Sequence, residues 1–406
     1  MIFFKMSINR KNIFLILLGS FFIQQFWIFT SPGPIKPYML AVVLTLVYAG
    51  ITCNGIRFTL PIHIPFVAIF FVYMILSSFW GESIELAFNR ALGIVFLIAT
   101  YVALTIIAPV YSVRRELNAF GFNCFLYLII FYYLLGLYYI YINGYSAGEK
   151  YNQGIFGVYF EGVLPRLRGF ADSPNNMGLL IFPLFYFVFI FKPFTSKSYF
   201  FLLVIILILT FSTTSYIAFF APLFLLGLLG SVKIFLVGLA SFLCISFLLS
   251  LMYFNIDFIA HLIDLRLDRI ATGSGRFELF FFSIEKVGES PVYGHGLAQV
   301  RLFLEGFQNR DLQSSHNSFI ESFFEGGFFG IFLFLLCWIG FGVHLYKLRI
   351  RYLDKCKLFA YLLSMFIFSN SNLMIYVELM VLNMFLIVYM GNCLENQYKF
   401  DYKDRT

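Results

Sequence analysis

Residues 199–211, "YFFLLVIILILTF", and residues 235–254, "FLVGLASFLCISFLLSLMYF", run without one charged side chain. Runs this long and greasy belong in hydrocarbon, where every backbone N–H and C=O must find its partner within the protein. A helix meets that demand inside one segment. A membrane barrel does not fit, because its strands alternate apolar and polar residues over about ten positions, whereas these runs are continuous.

Such runs recur through a chain of 406 residues that is 61% hydrophobic and 12% charged. A crossing of about 30 Å takes about 20 helical residues. Crossings are expected near 11–30, 38–54, 61–80, 91–110, 118–142, 175–191, 199–213, 216–231, 234–254, 318–346, 358–369 and 373–391. The fold class is therefore all-α, a polytopic transmembrane bundle of about twelve helices. Residues 1–406 form one integral membrane domain, with two longer external loops, 143–174 and 255–317, holding short interfacial helices.

Basic residues beside short loops stay on the cytoplasmic side. Lys5, Arg10 and Lys11 precede the first crossing, Arg114 and Arg115 follow the fourth, Lys192 and Lys197 follow the sixth, and "YKLRIRYLDKCK" follows the tenth. With both termini inside, all these clusters are cytoplasmic, and the alternate short loops carry only Lys36 and Arg90. The net charge of +7 follows from this bias and calls for no nucleic acid. The first crossing is too long for a signal-peptide core and is expected to be retained.

Cys53, Cys124, Cys244, Cys337, Cys356 and Cys393 all fall in crossings or on the cytoplasmic side, so no external disulfide framework is expected. The histidines, at 63, 261, 295, 316 and 344, are scattered, and neither CxxC nor HExxH occurs. No metal and no cofactor are expected.

The external loops break the charge rule. They carry Lys150, Arg166, Arg168, Arg266, Arg269, Arg276, Lys286, Arg301 and Arg310. Most of these are expected to be solvated surface paired with neighbouring carboxylates. Three stretches differ, because each sets polar groups at the outer start of a helix. In "PRLRGFADSPNNMGLLIF", Asp172 or Ser173 can cap while Pro174 takes the first position, with Arg166 and Arg168 just upstream. In "TGSGRFELFFFSIEKVG", Ser274 can cap a helix whose first turn carries Arg276. In "SSHNSFIESFFEGG", Ser318 and Glu321 read as a capping box two residues after His316. Helix starts offer unpaired N–H groups and partial positive charge, so three that converge make an anion site.

Each residue has a plainer reading beside the functional one. Asn175, Asn176 and Asn317 either satisfy backbone groups or contact ligand. Gly275, Gly288, Gly294 and Gly296 read as turn residues, and His295 as a loop residue. His316 is either a surface histidine or a base at the membrane edge. Glu325 and Glu378, near or within crossings, should each partner an arginine or line a polar cavity. A lipid-linked pyrophosphate suits cations at the outer leaflet: its tail stays in the bilayer while the diphosphate meets arginines and helix starts. A neutral histidine beside it can deprotonate a sugar hydroxyl attacking the anomeric carbon.

The combination of "RLRGFADSPNNMG", "GSGRFELFFFSIEKVGESPVYGHGLAQV" and "SSHNSFIESFFEGGFFGIFLFLL", over roughly residues 150–345, resembles the O-antigen polymerase and O-antigen ligase superfamily of bacterial inner membranes. Members act on undecaprenyl-pyrophosphate-linked glycans at the periplasmic face. The resemblance implies that Arg168 and Arg276 bind the diphosphate and that His316 activates the acceptor hydroxyl, which makes His316 and Arg276 the expected catalytic pair; Arg166, Asn175 and Asn317, at the same helix starts, are expected to add to the diphosphate site. Glu321 and Glu325 would support them. Many relatives have a Ser-Arg-Gly turn where this chain reads "STTS", so no arginine carries over there. Expected partners are the undecaprenyl-pyrophosphate-linked oligosaccharide, membrane lipid and a chain-length regulator.

Polymerase and ligase share donor and inverting chemistry and differ in acceptor: another lipid-linked repeat unit for one, the lipid A core for the other. The Phe-rich and Ile-rich composition resembles products of polysaccharide-cluster genes and favours the polymerase. A transporter or flippase for the same lipid is the reading from another class. It calls for midplane charges and matching broken helices, whereas the polar residues here gather on one face.

Overall fold

A computed structural model describes residues 10–26, 28–30, 33–52, 61–108, 122–143, 154–161, 164–191, 197–230, 254–255, 264, 276–304 and 315–403. Its helices are α1 (Arg10–Ser20), α2 (Pro37–Thr52), α3 (Ile64–Leu76, extended by a 3-10 turn to Trp80), α4 (Ile84–Ile107) and α5 (Phe122–Asn143). Then come α6 (Pro174–Phe191), α7 (Lys197–Leu209), α8 (Thr213–Gly230), α9 (Arg276–Val287) and α10 (Val300–Leu304). The last three are α11 (Ser318–Lys347), α12 (Tyr352–Ser369) and α13 (Glu378–Lys403). The protein is mostly helical, as the continuous apolar runs require.

Five described helices are long and apolar enough to cross a membrane: Ile84–Ile107, Phe125–Asn143, Pro174–Phe191, Ser318–Lys347 and Glu378–Lys399. Four shorter apolar ones accompany them, Pro37–Thr52, Ile64–Trp80, Tyr199–Leu209 and Thr213–Leu228. The expected count of about twelve is not reached among the described residues, and the crossing placed at 234–254 lies almost wholly outside them. The first crossing, expected over 11–30, is helical only to Ser20, and the chain then turns into a short hairpin of β1 (Ile28–Thr30) and β2 (Gly33–Ile35).

Connections gather on two opposite faces. On one, Gln25 donates to the carbonyls of Gly169 (2.6 Å) and Ala171 (2.8 Å), Gln299 donates to the Ser83 carbonyl (3.1 Å), and Asn317 donates to that of Asn370 (2.8 Å). On the other, Arg10 Nε reaches the Ile107 carbonyl at 3.3 Å and Lys355 reaches that of Tyr346 at 2.7 Å. The first of these, called here the entrance face, carries every described residue of the expected site.

The core between the faces is aromatic. Tyr186 of α6 stacks on Tyr361 of α12 with centroids 4.4 Å apart, and its hydroxyl meets Ser364 at 2.8 Å. Tyr361 donates to Asn383 of α13 (2.6 Å), which donates onward to the Leu179 carbonyl (3.2 Å). In lipid such cross-helix bonds contribute about 0.6 kcal/mol each, so close packing of the rings carries most of the cohesion.

Two features of the loops were expected to be helical, and one is not. Residues 154–167 form an antiparallel meander of β3 (Gly154–Ile155), β4 (Val158–Glu161) and β5 (Leu164–Leu167), pairing Tyr159 with Arg166. Glycines and β-branched or aromatic residues favour extended pairing over a helix here. In the second loop, α9 is helical as expected, with Phe280, Phe281 and Ile284 exposed and Leu279 and Val287 buried. These two pack with Val300, Leu304 and Phe324 in a small core separate from the main one.

Helix α11 is broken once, at Gly327 (φ 61°, ψ −156°). Only glycine holds this conformation without strain. Loop 291–296 docks into the break: His295 and Gly296 donate backbone N–H groups to the carbonyls of Phe324 (2.8 Å) and Glu325 (2.9 Å), and Phe328 donates to that of Pro291 (2.9 Å).

Candidate functional site

Two of the three expected helix starts meet. At the head of α6, Pro174 takes the first position and Ser173 Oγ accepts the Asn176 N–H at 3.2 Å, as the sequence implies. At the head of α11 the cap is one residue earlier than expected. Asn317, not Ser318, caps the helix, its Oδ1 accepting the N–H groups of Phe319 (2.9 Å) and Ile320 (3.2 Å). Asn317 is extended while Ser318 is already helical, which decides between two residue types that both cap well. Ser318 Oγ is spent on the connection between α12 and α13, donating to the Asn372 carbonyl (2.9 Å) and accepting the Met374 N–H (2.7 Å).

That connection links the two heads. Asn175 Nδ2 donates to Asn372 Oδ1 at 3.0 Å. Asn175 Oδ1 accepts from Ser212 Oγ (2.8 Å) and from Arg166 (3.3 Å), and Arg166 Nε donates to the Thr210 carbonyl at 2.9 Å. Strand β5, the heads of α6 and α11, the turn between α7 and α8 and the α12–α13 connection are thus tied by one relay. Arg166, 6% exposed, is its buried end. His316, exposed and in a left-handed conformation (φ 53°), stands at the other, next to the cap.

Arg168 separates from Arg166. Its Nε donates to the Phe156 carbonyl (3.1 Å), and its guanidinium lies against Gly154 of the meander. Burial pushes its pKa down against the raising pull of Tyr132 and Asp172. The third helix start, α9, begins at Arg276, whose side chain lies outside the described residues, as does the expected cap Ser274. Its helix is nonetheless brought onto α11 through Leu279 and Phe324.

Glu321 and Glu325 are fully buried. Glu321 Oε2 accepts from the backbone N–H (2.9 Å) and hydroxyl (2.6 Å) of Ser315, the residue before His316, while its Oε1 has no described partner. The expected box thus reaches two residues further back than the cap. Glu325 accepts the Ala298 N–H at 2.8 Å and the Tyr376 hydroxyl. Glu378 partners a lysine rather than an arginine: Lys36 bridges Glu378 (2.7 Å) and Asp172 (2.6 Å), and Gln24 adds a bond to Glu378 at 2.8 Å. Burial lowers the Lys36 pKa, but the combined pull of Glu378 and Asp172 outweighs it and leaves the ammonium raised. At Asp172 burial outweighs Lys36, and the carboxyl is raised.

Sequence reasoning missed Asn372, Thr210, Ser212 and Tyr376. The signal for the first was the polar "SNSN" at 369–372 interrupting an apolar run. Among the described residues no group of three potential metal ligands occurs.

Residues 198–335 match the family model described as O-antigen ligase. The match supports the superfamily resemblance, and it takes in two of the three helix starts, with Arg276, His316, Asn317, Glu321 and Glu325, while leaving the first, with Arg166, Arg168 and Asn175, upstream. No curated protein matches the chain. The chain thus combines five described helices long and apolar enough to cross a membrane with a segment that matches the O-antigen ligase model.

Proposed function

We propose that the protein is a polymerase of lipid-linked glycans in the bacterial inner membrane, with both termini cytoplasmic and the entrance face periplasmic. It transfers a growing chain from undecaprenyl pyrophosphate to a sugar hydroxyl of another lipid-linked repeat unit. The observation that carries this reading is the relay Arg166–Asn175–Asn372, which ties two helix heads together beside the exposed His316.

In the reaction, the neutral His316 ring takes the proton of the acceptor hydroxyl as that oxygen bonds to the anomeric carbon. The bond from that carbon to the diphosphate oxygen breaks, inverting the centre, and the diphosphate departs on its lipid. Arg276, Arg166 and Arg168, with the N–H groups at the helix heads, balance the developing negative charge. The exposed Phe280, Phe281 and Ile284 of α9 suit an interfacial helix beside lipid. Membrane lipid and a chain-length regulator are the further partners of this reading.

Purified protein supplied with a defined lipid-linked repeat unit and no added metal should make longer lipid-linked glycans; failure to extend it removes the polymerase reading. The O-antigen ligase family match makes the ligase the second reading, with lipid A core as acceptor. Gene deletion separates them: loss of a polymerase leaves core capped with one repeat unit, loss of a ligase leaves core uncapped.

A further inference from the structure

The short helix below His316, Ser318–Gly326, does not inherit its direction from the rest of α11, because the backbone turns at Gly327. Something else must set the angle. Part of it is backbone: loop 291–296 bonds to the carbonyls of Phe324 and Glu325, and the Tyr73 hydroxyl donates to that of Gly326 at 2.7 Å. Among the described residues, one side chain of the segment reaches both neighbouring connections at once. Glu325, with no exposed surface, takes the Ala298 N–H on one oxygen and the Tyr376 hydroxyl on the other.

Ala298 is itself held in a left-handed conformation (φ 62°), and Gln299 beside it is bonded to Ser83 at the head of α4. Tyr376 precedes α13 and carries the Arg90 guanidinium over its ring at 4.6 Å. Glu325 therefore joins the second external loop, the broken helix and the α12–α13 connection, the last of which also holds Asn372 and Asn370. An isolated buried carboxyl group is costly, and the two hydrogen bonds that offset this cost at Glu325 come from different connections.

We propose that Glu325 is a positioning residue for the transfer reaction, fixing through Ala298 and Tyr376 the angle at which the short helix presents His316. This rests on the reading of His316 as the base. It does not require Glu325 to touch substrate.

The test uses the full-length protein in nanodiscs, with three variants: Glu325→Ala, Glu325→Gln and Tyr376→Phe. Turnover on the lipid-linked repeat unit should fall about 100-fold in Glu325→Ala and about 5-fold in Tyr376→Phe, with KM for the donor and affinity for undecaprenyl pyrophosphate within about twofold of wild type. Glu325→Gln should recover to within about 5-fold of wild type, because its amide oxygen still accepts the Ala298 N–H. A second readout is independent of chemistry: spin labels at His316→Cys and Tyr346→Cys, one on each side of Gly327, in a background without native cysteines. Their distance distribution should broaden with Glu325→Ala and stay narrow with Glu325→Gln.

Unchanged turnover and an unchanged distribution in Glu325→Ala overturn the proposal, as does a parallel loss of affinity and turnover that Glu325→Gln fails to restore. Full turnover in His316→Ala with a broadened label distribution in Glu325→Ala sinks the base assignment instead.

Discussion

Asn175 and Asn372, far apart in the chain, share a side-chain hydrogen bond of 3.0 Å that ties the head of α6 to the α12–α13 connection. Asn175 is the hub of this contact, since its oxygen also serves Arg166 and Ser212. Asn175→Ala removes one hydrogen bond each from Arg166, Ser212 and Asn372 in a largely buried setting, and a buried bond left unmade costs about 1–3 kcal/mol. The expected outcome is a thermal unfolding temperature in nanodiscs several degrees lower, with turnover falling further than stability.

His316→Ala and Arg276→Ala should each abolish chain extension at normal protein level, measured as polymer on gels from complemented deletion cells. Arg276→Lys should also impair it, because an ammonium cannot make the bidentate contact of a guanidinium with a diphosphate. Wild-type polymer from any of these removes that residue from the mechanism.

Arg166→Lys keeps the charge and loses the fork that spans the Thr210 carbonyl and Asn175. Affinity for undecaprenyl pyrophosphate should weaken about tenfold, or about 1.4 kcal/mol, read by titration against the purified protein.

Lys36 serves two carboxylates, so Lys36→Met leaves Asp172 and Glu378 facing each other without the ammonium that bridges them. The loss should be about 3 kcal/mol at pH 8. The sign with pH follows from the raised carboxyl of Asp172: its charged form is the disfavoured one, so the penalty grows as pH rises above the usual carboxylate value and shrinks on acidification. The raised ammonium of Lys36 makes its own contribution full below 10.5 and lost at higher pH. Unfolding temperatures of variant and wild type at pH 5 and pH 8 check this, the gap being expected to narrow at pH 5.

Gly327→Ala places a Cβ against the Val292 carbonyl in a backbone region closed to other residues. A strain of about 1–3 kcal/mol is expected from the conformation alone, with more from the overlap. The loss should appear in unfolding temperature and in transfer activity together.

The bundle was legible because hydrophobic runs report burial directly: the expected spans at 175–191 and 318–346 stand at Pro174–Phe191 and Ser318–Lys347. Of the site, the capping serine before α6 and the polar head of α11 were readable from local chemistry. What was not readable depends on contacts across the chain. Whether Asn317 or Ser318 caps is decided by where Asn370 and Asn372 stand, and the choice of Lys36 for Glu378 by a hairpin that follows α1. The meander was missed because its short strands sit in a loop whose polar residues dominated the reading.

At about 1.5 Å per residue, an unbroken rod from Ser318 to Lys347 would measure about 45 Å, well beyond a hydrocarbon slab of about 30 Å. The corner at Gly327 leaves one bilayer's worth of helix below it and lays the surplus against protein. Bilayers of differing thickness are then accommodated at the Tyr346 end. The depth of the imidazole is set by its protein neighbours and should hardly change with lipid chain length.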